Sequence, residues 1–180
     1  MTLETKKDIM NDFMAGTNSI GLLEWLESIG FYEAPASKAH HGNFPGALFD
    51  HSLQVTYELQ NLTNKLGLTW KRSQSPAVIG MLHDICKCDD YYTVPFGDDL
   101  NTVGIEWNKD GLYPGHGEKS LIMLMNHIVL TDEEIMCIRY HMGAFTNEKE
   151  WAYYSRAVRR YPNVLYTHMA DMIASQIKGV

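Results

Sequence analysis

The segment Ile79-Gly80-Met81-Leu82-His83-Asp84-Ile85-Cys86-Lys87 sets two ionisable side chains next to each other inside an apolar run. No other feature limits the fold as much, because such a pair is costly to bury unless something offsets its desolvation. A divalent transition-metal ion does so, since imidazole and carboxylate both ligate Mn, Fe, Co, Ni and Zn. The run opens at Ser75-Pro76, a helix-capping residue followed by proline at the first helical position. From there to Cys88 it is apolar on nearly every face, so the spacing predicts a helix buried in the middle of a domain.

The rest of the chain has to supply that domain. At 180 residues, 45% of them apolar, it is long enough for one domain with a real core. The formal charge of −7 argues against a protein that grips long nucleic acid through many phosphates. It leaves open a small phosphorylated substrate held by a metal. Three cysteines, Cys86, Cys88 and Cys137, make no disulfide framework and suit a reducing compartment. Cys86 and Cys88 lack the further partners a zinc site would need. The opening Met-Thr-Leu-Glu-Thr-Lys-Lys-Asp carries no apolar signal region, and no apolar run reaches the roughly 20 residues of a membrane helix. The expectation is a cytoplasmic protein that does not enter a membrane.

Periodicity predicts helices over 4–15 and 19–29, the latter with a stripe of Leu22, Leu23, Leu26 and Ile29 closed by Gly30. A loop, His40-His41-Gly42-Asn43-Phe44-Pro45-Gly46, leads into a helix from Ala47 to Leu66. His51 shares its inward stripe with Val55, Leu59 and Leu62, either as a core histidine bonded to a carbonyl or as a ligand. Residues 89–115 are turn material, with Ile105-Glu106-Trp107 and Leu112-Tyr113 flanking a turn as a small hairpin around 103–113. A helix from Glu118 to Ile128 is expected to bury Leu121, Ile122, Met125 and Ile128. Thr131-Asp132-Glu133-Glu134 has capping-box spacing, and its helix ends near His141-Met142-Gly143. Helices over 147–160, with Arg156, Arg159 and Arg160 on a solvated face, and over 163–178 complete the chain. The fold class is all-α with one small hairpin, and His127 is read as a core-edge residue.

His51, His83-Asp84, His116, His141 and Asp171 each fall on a separate predicted element. Four histidines and two carboxylates suit two transition-metal ions better than Mg or Ca, with Asp84 placed to bridge them. In this order the residues resemble the HD-domain superfamily of metal-dependent phosphohydrolases in its two-metal form. His83-Asp84-Ile85-Cys86-Lys87 is similar to the family's His-Asp-x-Gly-Lys. The 40–52 segment, Gly115-His116 and Tyr166-Thr167-His168-Met169-Ala170-Asp171 resemble the branch that includes 3′–5′ exoribonucleases. Cys86 stands where that pattern has glycine, and Ala47 replaces the second glycine of the earlier segment.

The resemblance covers roughly 40–178 and implies an HD-type helical bundle over 1–180, with 1–39 a helical extension packed on the metal-binding core. It implies that His51, His83, Asp84 and Asp171 hold one ion, and that His116 and His141, bridged by Asp84, hold the second. Lys87, at i+3 from Asp84, is assigned to a substrate phosphate or to pairing with a carboxylate. His168 is assigned to substrate contact or leaving-group protonation, or to a hydrogen bond behind the site, and His41 to the pocket mouth. The expected activity is hydrolysis of a small nucleotide or related phosphoester through a metal-activated water. The alternatives are an HD-fold di-iron oxygenase cleaving a C–C or C–P bond with O2, and a non-catalytic HD-fold binding module.

Overall fold

A computed structural model describes residues 1–38, 42–95 and 103–180. His40 and His41 lie outside the described residues, as does the Phe96-Gly97-Asp98-Asp99 turn. The described chain is helical apart from one two-stranded antiparallel sheet, and no helix among the described residues is long and apolar enough to cross a membrane.

The helices expected at the start of the chain form as α1 (Leu3–Met14) and α2 (Leu22–Ser28). They send Met10, Met14, Leu22 and Leu26 into the same apolar core as the helices that follow. Lys6 on α1 is also buried, and its ammonium donates to the carbonyls of Tyr32 (2.9 Å) and Gly46 (3.3 Å). The central helix α3 (Ala47–Leu66) has the predicted bounds, with left-handed glycines, Gly46 and Gly67, on either side. Its inward residues Leu48, Phe49, Val55 and Leu59 are fully buried.

Beside α3 runs α4 (Ser75–Leu82), buried along its whole length. Gly80 allows the pair to meet closely: a Cβ there would sit 2.6 Å from the Cα and 2.7 Å from the N of Thr56. The predicted helix to Cys88 does not continue. After Leu82 the chain tightens into i→i+3 bonds, Ile85 N–H to Leu82 C=O at 3.4 Å and Lys87 N–H to Asp84 C=O at 3.0 Å. The short α5 (Lys87–Asp90) follows. Ser75 is not the cap, which is Gln74; its hydroxyl donates instead to the buried Glu134 carboxylate at 2.8 Å.

The hairpin pairs β1 (Tyr91–Pro95) with β2 (Val103–Trp107), Tyr91 opposite Trp107. The second strand falls where the sequence put it; its partner is the segment before it and not Leu112-Tyr113. Tyr91 and Trp107 meet edge to face at 5.4 Å, which favours that register.

In α6 (His116–Leu124) the buried face is Gly117, Lys119, Ser120 and Leu124, so the expected stripe is rotated and Ile122 and Met125 are exposed. Two contacts cause this. Gly117 lies against the backbone of Arg139, where any side chain would collide, and Lys119 is drawn inward by Asp89 and Asp90, both at 2.6 Å. The capping box is present at the start of α7 (Asp132–Arg139). Beyond it come two 3-10 turns, then α8 (Trp151–Arg160) with its exposed arginines, then α9 (Asn163–Met172). Residues Ile173–Lys178 continue α9 as a π-helix. His127 is half-buried and stacks on Trp25 at 4.0 Å.

Candidate metal centre

Five elements deliver the expected ligands to one place. His51 comes from the second turn of α3, His83 and Asp84 from the tight turn after α4, His141 from just beyond α7, and Asp171 from the last turn of α9. His116, the first residue of α6, enters from the cleft side. Three groups of donor atoms lie within 4.8 Å of one another: His51, His83 and Asp171; His83, Asp84 and His141; Asp84, Cys86 and His116. Shared His83 and Asp84 join them into one continuous chain of donors.

The imidazoles are fixed in a common orientation. The Nδ1 atoms of His51, His83 and His141 face the backbone carbonyls of Val180 (3.0 Å), Gly80 (3.0 Å) and Ile138 (2.7 Å). A carbonyl only accepts, so each Nδ1 carries the proton and each Nε2 is left with a bare lone pair. Those three Nε2 atoms and Asp84 Oδ1 are buried without a hydrogen-bond partner. They aim at carboxylates: His51 Nε2 lies 3.3 Å from Asp171 and 3.7 Å from Asp84, His83 Nε2 3.5 Å and His141 Nε2 3.3 Å from Asp84.

Lone pairs facing carboxylate oxygens repel unless a cation lies among them. The separations are longer than an N–H···O bond of about 2.9 Å. They match the edge of about 3.4 Å between nitrogen and oxygen donors arranged tetrahedrally around a transition ion at about 2.0–2.2 Å. With neutral imidazoles, Asp84, Asp171 and Lys87 sum to one net negative charge. The donor set therefore fits a divalent ion.

Electrostatics agree. Burial pulls the His83 imidazole down to about 4 against the pull of Asp84, keeping it a neutral ligand. Burial would raise the Asp84 carboxyl, but the Lys87 ammonium, helped by His83 and His141, holds it well below the carboxylate range. The Asp171 carboxyl, likewise opposed by burial, is held at about 2 by the His51 imidazole facing it, with His83 and His141 beyond. Burial would lower the His141 imidazole, yet the Asp84 carboxylate facing it outweighs burial and draws it up, the response of a nitrogen placed to bind a cation.

Lys87 pairs with Asp84 at 2.6 Å. In a 3-10-like turn side chains at i and i+3 eclipse, which is why the break after Leu82 brings the two together. Above the donors opens a cleft of about 240 Å³, lined by His51, Asp84, Lys87, His116 and Asp171 together with Tyr91, Met142, Ser175 and Gln176. His168 is not among its lining residues. Its Nδ1 bonds to the backbone oxygen of His141 at 2.8 Å, and its ring packs so tightly on Gly143 that any Cβ there would strike it. That fixes the turn carrying His141. His41, assigned to the pocket mouth, lies outside the described residues; Ala36 and Ser37, in the connection before its loop, line the cleft.

Sequence reading missed Tyr91, because its strand was unassigned, and Ser175 and Gln176, because nothing in the sequence announces a π-helix. It also passed over Cys86 as a donor, although its place two residues after Asp84 was visible. The chain matches no protein-family model, no curated protein and no solved structure.

Proposed function

We propose that the protein is a metal-dependent phosphohydrolase acting on a small nucleotide or related phosphoester. The observation that carries this reading is the convergence of three buried, unpartnered Nε2 atoms on the buried Asp84 and the partly buried Asp171 at the floor of a small cleft. His51, His83, Asp84, His116, His141 and Asp171 would hold two divalent ions, which when bound would supply a water with its pKa lowered toward ~7 and offset phosphoryl charge.

The chain's own residues do the rest. The carbonyl bonds at Nδ1 hold each imidazole ready to ligate without rearrangement. Lys87, mostly buried at the cleft wall, presents a fixed positive charge beside Asp84, suited to a phosphoryl oxygen. His116, a third exposed, carries the donor set out to the cleft, where a substrate phosphoryl group would enter. Tyr91 and Met142 give the cleft an apolar wall against which a base or acyl portion can lie. The acidic balance of −7 favours a small substrate over long nucleic acid.

The test is phosphate release from a panel of nucleotides, cyclic dinucleotides and simple phosphoesters by protein stripped with chelator and reloaded with Mn2+ or Co2+. Metal-dependent release is expected, with Asp84→Ala both inactive and metal-poor. Substrate-dependent O2 uptake by the iron-loaded protein would replace the hydrolase reading with the oxygenase one. A folded chain that binds no metal would leave only a binding module.

A further inference from the structure

Cys86 is a fully buried residue in the turn that carries the His-Asp pair, and its side chain is turned toward the donors. Its Sγ lies 3.5 Å from His116 Nδ1, and both belong with Asp84 to a single donor group within 4.8 Å. Asp84 belongs to the same group, and its Oδ1, 3.3 Å from His141 Nε2, is buried with no hydrogen-bond partner. The second oxygen of Asp90 stands 3.9 Å from the same His116 nitrogen, while its first is held at 2.6 Å by the buried Lys119.

We propose that Cys86 is a thiolate ligand, completing with His116 and Asp84 a mixed sulfur–nitrogen–oxygen site for the second divalent ion. The inference rests on the reading that the His-Asp cluster holds metal. A tetrahedral ion with a sulfur at about 2.3 Å and a nitrogen at about 2.0–2.1 Å separates those two donors by about 3.5 Å, which the side chains already satisfy. Binding forms the metal–sulfur bond and releases the thiol proton to solvent, with no change of oxidation state. A sulfur donor also biases the site: Zn, Co and Fe are favoured over Mn or Mg, which prefer oxygen. The His83–Asp84–His141 part, with no thiol, lacks that bias. Lys119 acts as a positioning residue, fixing Asp90 so that its free oxygen faces His116.

The experiment is a Co2+ titration of the chelator-stripped full chain, followed by absorption. A thiolate-to-cobalt charge-transfer band in the near ultraviolet is expected with the second equivalent, along with release of a proton. Cys86→Ser should abolish the band and weaken the second equivalent by at least ~10-fold while the first binds as before. Cys86→Gly serves equally should the serine variant fail to fold, and His116→Ala should also lose the band. Cys88→Ser and Cys137→Ser should keep it. Cobalt binding to the wild-type protein without the band, or a band that survives in Cys86→Ser, overturns the thiolate assignment and leaves the metal centre standing. No cobalt binding at all overturns both.

Discussion

Gly80 sets the distance between His51 and His83, whose rings lie 5.4 Å apart. A methyl group there meets the Thr56 hydroxyl and also the Thr56 backbone, which cannot swing aside, so Gly80→Ala must push α3 and α4 apart. The expected cost is about 1–3 kcal/mol, read from a urea denaturation midpoint, together with loss of bound metal. A variant of unchanged stability and metal content would mean that the helices have slack. Tyr32 permits a second test. It packs buried against Phe31 and Phe49, and burial, with Glu27 nearby, pushes its phenol up to about 12. The folded state thus keeps its proton where the unfolded chain loses it, so stability is intact below pH ~10 and falls as pH rises toward ~12. Tyr32→Phe should remove on the order of 1–2 kcal/mol of that alkaline loss; an identical pH profile for both proteins would place the phenol in water. His83 and Asp84 could be read as chemistry from the sequence because ionisable residues in an apolar run need a reason. Gly80 could not, since one glycine in a helical pattern reads the same whether or not another helix rests on it.

Helices announced themselves when their ends carried their own signals. Glycines frame α3 at its predicted limits, and Thr131 with Glu134 forms both bonds of its box. Where a neighbour decides, the pattern misled. The turn from His83 to Cys86 sits inside an apolar run that looks like continuous helix, and α6 is rotated by Lys119 answering two aspartates. Glu134 shows such non-local control most fully. It is completely buried, it receives Arg72 through two nitrogens at 2.8 and 2.9 Å, and it accepts from the Ser75 hydroxyl and from the Thr131 amide, both at 2.8 Å. It thereby ties the approach to α4 to the start of α7, the helices that precede His83 and His141. Arg72→Ala leaves that carboxylate buried without its cation, and is expected to cost roughly 2–4 kcal/mol, a little under the range for fully buried pairs because Arg72 is partly exposed. Thermal denaturation would show it, and a loss below ~0.5 kcal/mol would reduce the network to an ordinary surface pair.

The donors come from five elements separated by long stretches of chain, so an ion among them would act as a cross-link that the unfolded chain cannot reproduce. Without one, the fold holds Asp84 and Asp171 against bare imidazole nitrogens, an arrangement that opposes folding. Metal should therefore stabilise by mass action. An ion at 100 times its dissociation constant adds ~2.7 kcal/mol, which for a chain of 180 residues raises the thermal midpoint by about 5–11 °C. Chelator should lower the midpoint by the same amount, and Zn2+ or Co2+ added back should restore it. In Asp84→Ala the dependence should vanish, because the shared carboxylate is gone, whereas Arg156→Ala on the outer face of α8 should keep it in full. Equal midpoints for stripped and reloaded wild-type protein would mean that the donors stand together for another reason, and the proposed chemistry would have no ion to work with.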